Sequence, residues 1–455
     1  MRLDEKLWIY GGGRTAQWDW VGRKRVEAVL EALRGVEPAF RARAPRALQR
    51  RRYLAGLRYL LKRGGAARDR LACHPCMDYW LYLWDQQFGV RAAERDWHLQ
   101  MGFLQGFAAS LALSRGDSLE LDAGPDPDGR FYLFGSPYFL ELPGSPSEPQ
   151  KLVISRGGLT IAGRHSPVER LPRLIEAAPG IVVDDRGWLM VHGVVMHGLA
   201  TLEDAERARF AEVLKAALAD MAVRDPGLHA EMTDMLRALI PLQNPMNHGS
   251  VSSSYVNMRG TICLSHSDDP LLQAETLIHE YCHQKMNQLL VVDPILMPGQ
   301  SGQIFYSPWR EDARRLRGLL LGAHAFLNVA RYLSRSLSRE SYPEAEHIES
   351  MVNVSRRILQ VEEALRTLVR YGDFTEFGRR FVLGMWREAG VLNHAIQWFP
   401  PALLKEQRDA CDDHRRKFAL GSTGFHKSKD LVDKVARVAF LTPKSDDEVP
   451  APSTK

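Results

Sequence analysis

The chain has 455 residues, of which 45% are hydrophobic and 25% charged, the composition of an ordinary globular protein with room for two or three domains. A formal charge of +5 is too small for this size to argue for nucleic acid as a partner. No apolar run reaches the length of a membrane span, the opening MRLDEKLWIYGGG lacks the order of a secretory signal, and five scattered cysteines fit a reducing compartment, so a cytoplasmic location is expected.

Residues 1–117 read as an N-terminal helical region. VEAVLEALRGV, ALQRRRYLAGLRYLLKRGG and WHLQMGFLQGFAASLALSRG carry apolar residues at three and four spacing, with Gly64 and Gly116 where helix ends would be capped. Between Arg41 and Arg70 there are eleven Arg or Lys and one acid, which we read as a solvated face rather than an acidic-ligand site. Cys73 and Cys76 form a lone C-x-x-C pair, read as two small buried residues.

Residues 118–200 change period. LELDAG, GRFYLFG, YFLELPG, KLVISRGGLTIAG and IVVDDRGWLMVHGV are short β-branched and aromatic runs broken by Gly, Pro and Asp, so this is a β-rich unit with turns at DPDG and DDRG. His192 and His197 fall at its strand ends and read as ordinary polar residues.

Residues 201–420 return to helices and form the expected catalytic domain. TLED from Thr201 reads as a capping box, the first helix runs to about Val223, and a second covers Leu228 to Ile240. SVSSSYVNMRGTICLS then predicts a strand or hairpin, of the kind that holds an extended peptide by main-chain pairing. Asp268 and Asp269 before Pro270 start the next helix, in which Leu272, Leu277, Ile278, Tyr281, Met286 and Leu289 keep helical spacing. A Gly/Pro-rich loop with Tyr306 and Trp309 follows, then a helix containing His324, then helices over Glu344 to Tyr371 and Phe374 to Ala395. Residues 421–455 have the composition of a flexible C-terminal tail.

The chemistry is concentrated in QAETLIHEYCHQKMNQL. His279 and His283 stand one helical turn apart, so both imidazoles reach from one face, about 6 Å apart at the backbone, and can grip one metal ion. Glu280 follows the first histidine and is placed to take a proton from a bound water or to steer a ligand. For a third ligand, His324 stands out because an apolar residue would pack better in its helix; Glu311 and Asp312 are carboxylate alternatives, and a core histidine bonded to a backbone carbonyl is the structural reading of His324. Arg314, Arg315 and Arg317 are read on the same helix, with Arg317 seven residues before His324 on one face, and Arg310 just ahead of them. Arg310, Arg314 and Arg317 are therefore candidates to hold a carboxylate beside the metal.

The succession VSSSYVNMRGTICLS, ETLIHEYCHQKMNQL and YSPWREDARRLRGLLLGAHAFLNVARYL resembles the bacterial HExxH-motif peptide-modification proteins of ribosomal peptide pathways, over about Ser250 to Leu333. The SPWR-x-D-x-R segment discriminates them from other HExxH proteins. The resemblance implies an iron(II)- and 2-oxoglutarate-dependent oxygenase that uses dioxygen to hydroxylate the β-carbon of a side chain in a precursor peptide. It implies iron on His279 and His283, and matches Arg310 and Arg314 to the motif arginines. This chain departs in having Arg315 where relatives often have proline, and some relatives carry histidine at the position of Phe326, which leaves the third ligand open.

Taken together, the expectation is an α+β, predominantly helical protein with a zincin-like HExxH helix beside a small sheet. The expected activity is peptide hydroxylation with Fe(II) and 2-oxoglutarate. A zinc metallopeptidase using Glu280 as general base is the alternative, and an inert peptide-binding scaffold a third class. A zinc peptidase has no use for the arginines, whereas an oxygenase needs one for the oxoacid. Neither nucleic acid nor a membrane is expected as a partner.

Overall fold

The computed structural model describes residues 4–9, 16–49, 52–87, 94–126, 129–142, 144, 148–185, 200, 202–244, 250–299, 303–337 and 344–422. They form a mixed α+β protein that is predominantly helical. Among them no helix is long and apolar enough to cross a membrane. His192, His197, Thr201, the second half of the DDRG turn and nearly all of the tail lie outside the described residues.

Helix α1 (Glu5–Ile9) is followed by α2 (Ala16–Arg43), α3 (Arg46–Gln49), α4 (Tyr53–Lys62), α5 (Ala66–Ala72), α6 (Pro75–Gln87) and α7 (Glu94–Arg115). Gly116 takes φ +68° and ends α7, whereas α4 ends at Arg63 in an extended conformation, and the left-handed residue beyond it, Gly65 at φ +104°, is the N-cap of α5. The basic stretch is partly neutralised by ion pairs: Arg41 and Arg58 share Glu37, Arg52 meets Glu120, and Arg63 meets Asp117. Arg58, with Arg41, holds the Glu37 carboxyl down to about 2. Cys73 and Cys76 are free thiols, the second buried.

The β-rich stretch supplies β1 (Leu119–Ala123), β2 (Arg130–Tyr132), β3 (Phe139–Glu141), β4 (Gln150–Ser155), β5 (Gly158–Ile161), β6 (Arg164–Pro167), β7 (Ile175–Ala178) and β8 (Ile181–Val183). An antiparallel sheet runs β1-β4-β5-β6, and β2 pairs with β3. The DPDG turn closes with Gly129 N donating to Asp126 O at 3.0 Å.

Helix α8 (Asp204–Arg224) is preceded by Glu203, two residues later than the cap TLED suggested, and Glu206 reaches back to accept the Glu203 N–H at 3.0 Å. Helix α9 (Pro226–Met235) stops before Leu236, and ALIPL is not helix but strand β9 (Ala238–Leu242). That corrects the helix expected to run to Ile240. Every residue of β9 is buried, and a short, wholly apolar run has the same appearance in a central parallel strand as in a core helix. The serine-rich stretch forms the hairpin β10 (Ser252–Ser253) and β11 (Thr261–Ser265). The resulting five-stranded sheet has the order β10-β11-β9-β8-β7, with β8, β9 and β11 parallel and β10 at an edge. Arg259 in the hairpin turn donates Nε and Nη2 to the two carboxylate oxygens of Asp78, both at 3.0 Å, and Arg25 joins them, tying α2, α6 and the hairpin together.

Helix α10 (Pro270–Val292) carries the histidines. Pro270 stands at its first position, where no N–H is missed, and Asp269 accepts the Leu271 N–H at 2.8 Å. The exit is fixed as firmly: Ile295, at φ +62°, is a β-branched residue in the left-handed region, held because Asp293 accepts its N–H and Thr375 N donates to its carbonyl. Then come β12 (Ile304–Phe305), β13 (Arg314–Arg315), α11 (Leu316–Ser336), α12 (Glu344–Tyr371), α13 (Glu376–Ile396) and α14 (Pro401–Ser422).

The chain divides into two compact units. One comprises Thr15–Leu218 and Thr233–Gln273 and holds α2 to α7 and the strands β1 to β11. The other comprises Met1–Arg14, Ala219–Met232 and Ala274–Lys455, and contains both histidines, β12, β13 and α11 to α14. In this histidine unit α11 packs on α12, and α12 on α13 and α14. Its interior holds two charged groupings: Lys285 on α10 pairs with Glu231 at 2.7 Å, both nearly inaccessible, and Arg331 pairs with Asp225 at 2.9 Å.

Candidate metal centre

His279 and His283 leave one face of α10 with their rings at 87° and their Nε2 atoms 2.9 Å apart. At that distance the two rings share a direct hydrogen bond, and both nitrogens can also reach one ion at about 2.1 Å. Both Nδ1 atoms are buried with no hydrogen-bond partner. Burial holds both imidazoles below the usual histidine range. His283 and Arg357 add to the effect at His279, and Glu280 opposes it at His283. Both rings are therefore neutral at pH 7, the form in which imidazole binds a metal. Glu280 is buried on the same helix.

The surroundings are aromatic and basic. The Phe326 ring, from α11, lies 4.6 Å from the His279 ring, and Trp309 of the SPWR segment packs on Phe326 at 5.2 Å. The Arg357 guanidinium, from α12, lies over the same Phe326 ring, 4.3 Å from its centre. Gly322, one turn before Phe326, makes room for this arrangement: a Cβ there would fall 2.2 Å from Cζ2 of Trp309. No protein-family model matches the chain, and no curated protein matches it.

Among the described residues no third His, Cys, Asp or Glu joins the histidine pair. His324, the expected third ligand, instead donates Nε2 to the Trp8 carbonyl of α1 at 2.8 Å, deep in the core, where burial pushes its pKa down to about 3. The reason is helical pitch: the α11 residue facing His279 is Phe326, two positions on and rotated by about 200° from His324. Of the carboxylate alternatives, Glu311 is exposed, and Asp312 is held by Arg310 Nε at 2.7 Å and Arg314 Nη2 at 2.9 Å.

The arginine expectations fare differently from one another. Arg314 and Arg315 are not on the helix but on β13, paired with β12, so the helical angle assigned to Arg314 does not apply. Arg310 and Arg314 close on Asp312 as a pair, and burial with the neighbouring Arg310 charge lowers the Arg314 pKa. Arg317 is exposed in the first turn of α11, whereas His324 is fully buried two turns on.

Two residues absent from the sequence reading stand near the pair. Arg357 was 74 residues beyond His283, and no local pattern linked them. Glu275, buried one turn before His279, does carry a signal: 275, 279 and 283 step by four along one helix face. Its carboxylate attracts the Arg357 charge.

The pair supplies two nitrogen donors for one transition metal. The three-protein-ligand set expected of an oxygenase or a zinc peptidase is not assembled among the described residues.

Proposed function

We propose that this chain is a metal-dependent peptide-modifying enzyme, an iron(II)- and 2-oxoglutarate-dependent oxygenase that hydroxylates the β-carbon of a side chain in a ribosomally made precursor peptide. The observation that carries this reading is the convergence of two half-buried, neutral imidazoles whose Nε2 atoms lie 2.9 Å apart, close enough to share one ion. When bound, iron(II) would activate dioxygen, the oxidant, with the oxoacid as the two-electron co-reductant. His279 and His283 hold the metal, and Phe326 and Trp309 keep bulk water from the His279 side. Glu280 orients a ligand or closes a hydrogen bond within the site. The SPWR segment supports the reading, because its Trp309 is seated against this site rather than elsewhere on the surface.

The test is to mix the purified chain anaerobically with iron(II) and 2-oxoglutarate. A weak visible charge-transfer band that disappears in His279→Ala is expected; no band, together with tight zinc binding and peptide cleavage lost on Glu280→Gln, would instead favour the zinc peptidase.

A second reading rests on Phe326. An apolar ring where the second helix meets His279 also suits a peptide-binding scaffold that has lost its metal chemistry. In that case His279→Ala leaves the biological effect of the protein intact, whereas the oxygenase reading requires its loss.

A further inference from the structure

Among the described residues the half-buried Arg357 differs from five other buried or half-buried arginines. Arg25, Arg207, Arg224 and Arg331 each meet a carboxylate between 2.5 and 2.9 Å. Arg237, which has no such carboxylate, gives its N–H groups to the carbonyls of Thr233, Leu236 and Asp234. Arg357 has neither arrangement. Its Nη1 donates to Gln360 Oε1 at 3.2 Å, and its Nε is buried with no partner. Glu275 attracts its charge. A guanidinium stays charged, and taking it out of water without an anion is costly.

The side chain is also held ready. Its plane lies over Phe326, and Gln360, which receives Nη1, is itself fixed by donating Nε2 to the Pro308 carbonyl at 2.9 Å. Tethering Nη1 leaves the Nε–Nη2 edge, two parallel N–H groups at the spacing of carboxylate oxygens. The same Phe326 ring touches His279.

We infer that Arg357, through its Nε–Nη2 edge, anchors a carboxylate beside the histidine pair. This inference deepens the proposed function, since it rests on that pair being a ligand site, and it moves the anion-binding role from Arg310, Arg314 and Arg317 to a residue of α12. The carboxylate comes either from a free small dicarboxylate, such as 2-oxoglutarate, or from an acidic side chain of the peptide substrate. Fork geometry recognises both in the same way.

The test is isothermal titration of the full-length, metal-free chain with 2-oxoglutarate and, separately, with a short peptide containing one Asp and its Asn counterpart. Arg357→Lys, which keeps the charge but not the fork, and Arg357→Gln are titrated in parallel, after melting curves show that they fold. Cobalt(II) binding is measured on each. We expect one carboxylate ligand to bind the wild-type chain, its affinity to fall about tenfold in Arg357→Lys and a hundredfold in Arg357→Gln, and cobalt affinity to stay within about twofold. Binding of 2-oxoglutarate assigns the subsite to a free oxoacid; binding of the Asp but not the Asn peptide assigns it to the substrate. Carboxylate binding that is absent, or the same in all three proteins, overturns the anchor. Carboxylate binding that depends on Arg357 with no cobalt bound by the wild type keeps the anchor and removes the metal reading instead.

Discussion

Phe326→His is the substitution that most sharply probes the geometry around the histidine pair. The Phe326 ring is centred 4.6 Å from that of His279, so an imidazole at this position reaches the point where the two Nε2 atoms converge. Structural zinc sites with four ligands bind with about 10–16 kcal/mol, roughly 3 kcal/mol per ligand, so a third imidazole is worth about a hundredfold in affinity. The metal-free variant loses the contact of Phe326 with Arg357, about 0.5–2 kcal/mol, and part of that with Trp309, about 0.5–1.5 kcal/mol. It should therefore melt at a lower temperature than wild type without metal, and gain more on adding metal. Competition titration with cobalt(II) or zinc(II) gives the affinities, and scanning calorimetry with and without metal gives the stabilities. An affinity no higher than wild type in a folded variant would refute the reading that residue 326 faces the point where the two imidazoles converge.

Gly322→Ala drives a Cβ to 2.2 Å from Trp309, and we expect a loss of about 1–3 kcal/mol in chemical denaturation as the aromatic cover shifts; an unchanged midpoint would mean that Trp309 is free to move aside. Lys285→Met strands Glu231 without its buried partner and should cost about 3–5 kcal/mol, whereas pairing it with Glu231→Leu should recover most of that loss in a double-mutant cycle. Stability should also depend on pH. Burial depresses His74 and His324 from the usual histidine value to about 3, so the unfolded chain binds more protons than the folded one between about 6.5 and 3. Their contribution is complete above about pH 6.5 and is lost on acidification through that window, at up to about 1.4 kcal/mol per pH unit for each histidine. Urea midpoints measured from pH 7 to 4 should fall, and His324→Asn should flatten the slope.

Much of the histidine unit was legible because its signals are local. Pro270 after two aspartates, the helical spacing through Leu289 and the one-turn step from His279 to His283 each depend on residues within a turn or two, and α10 follows from them. The β10–β11 hairpin was visible for the same reason. Strand β9 was not, since ALIPL shows no alternation when both faces are buried. Nor was the short pairing of Arg314 and Arg315 with Ile304 and Phe305, which takes the arginines off α11; two-residue strands have no period to detect. His324 shows the limit of the helical pattern: a polar residue in an apolar helix signals burial but not direction, and its Nε2 donates to the Trp8 carbonyl while Nδ1 stays buried without a partner. Arg357 lies on a different helix, and its relation to His279 through a shared phenylalanine is a property of packing alone.

The most direct test is the cobalt(II) stoichiometry and affinity of the full chain beside His279→Ala, His283→Ala and His324→Asn. One equivalent bound by wild type and by His324→Asn, with binding lost in each of the other two, is the predicted result. Cobalt retained in both His279→Ala and His283→Ala, or lost in a folded His324→Asn, would contradict a centre built on the paired imidazoles of α10.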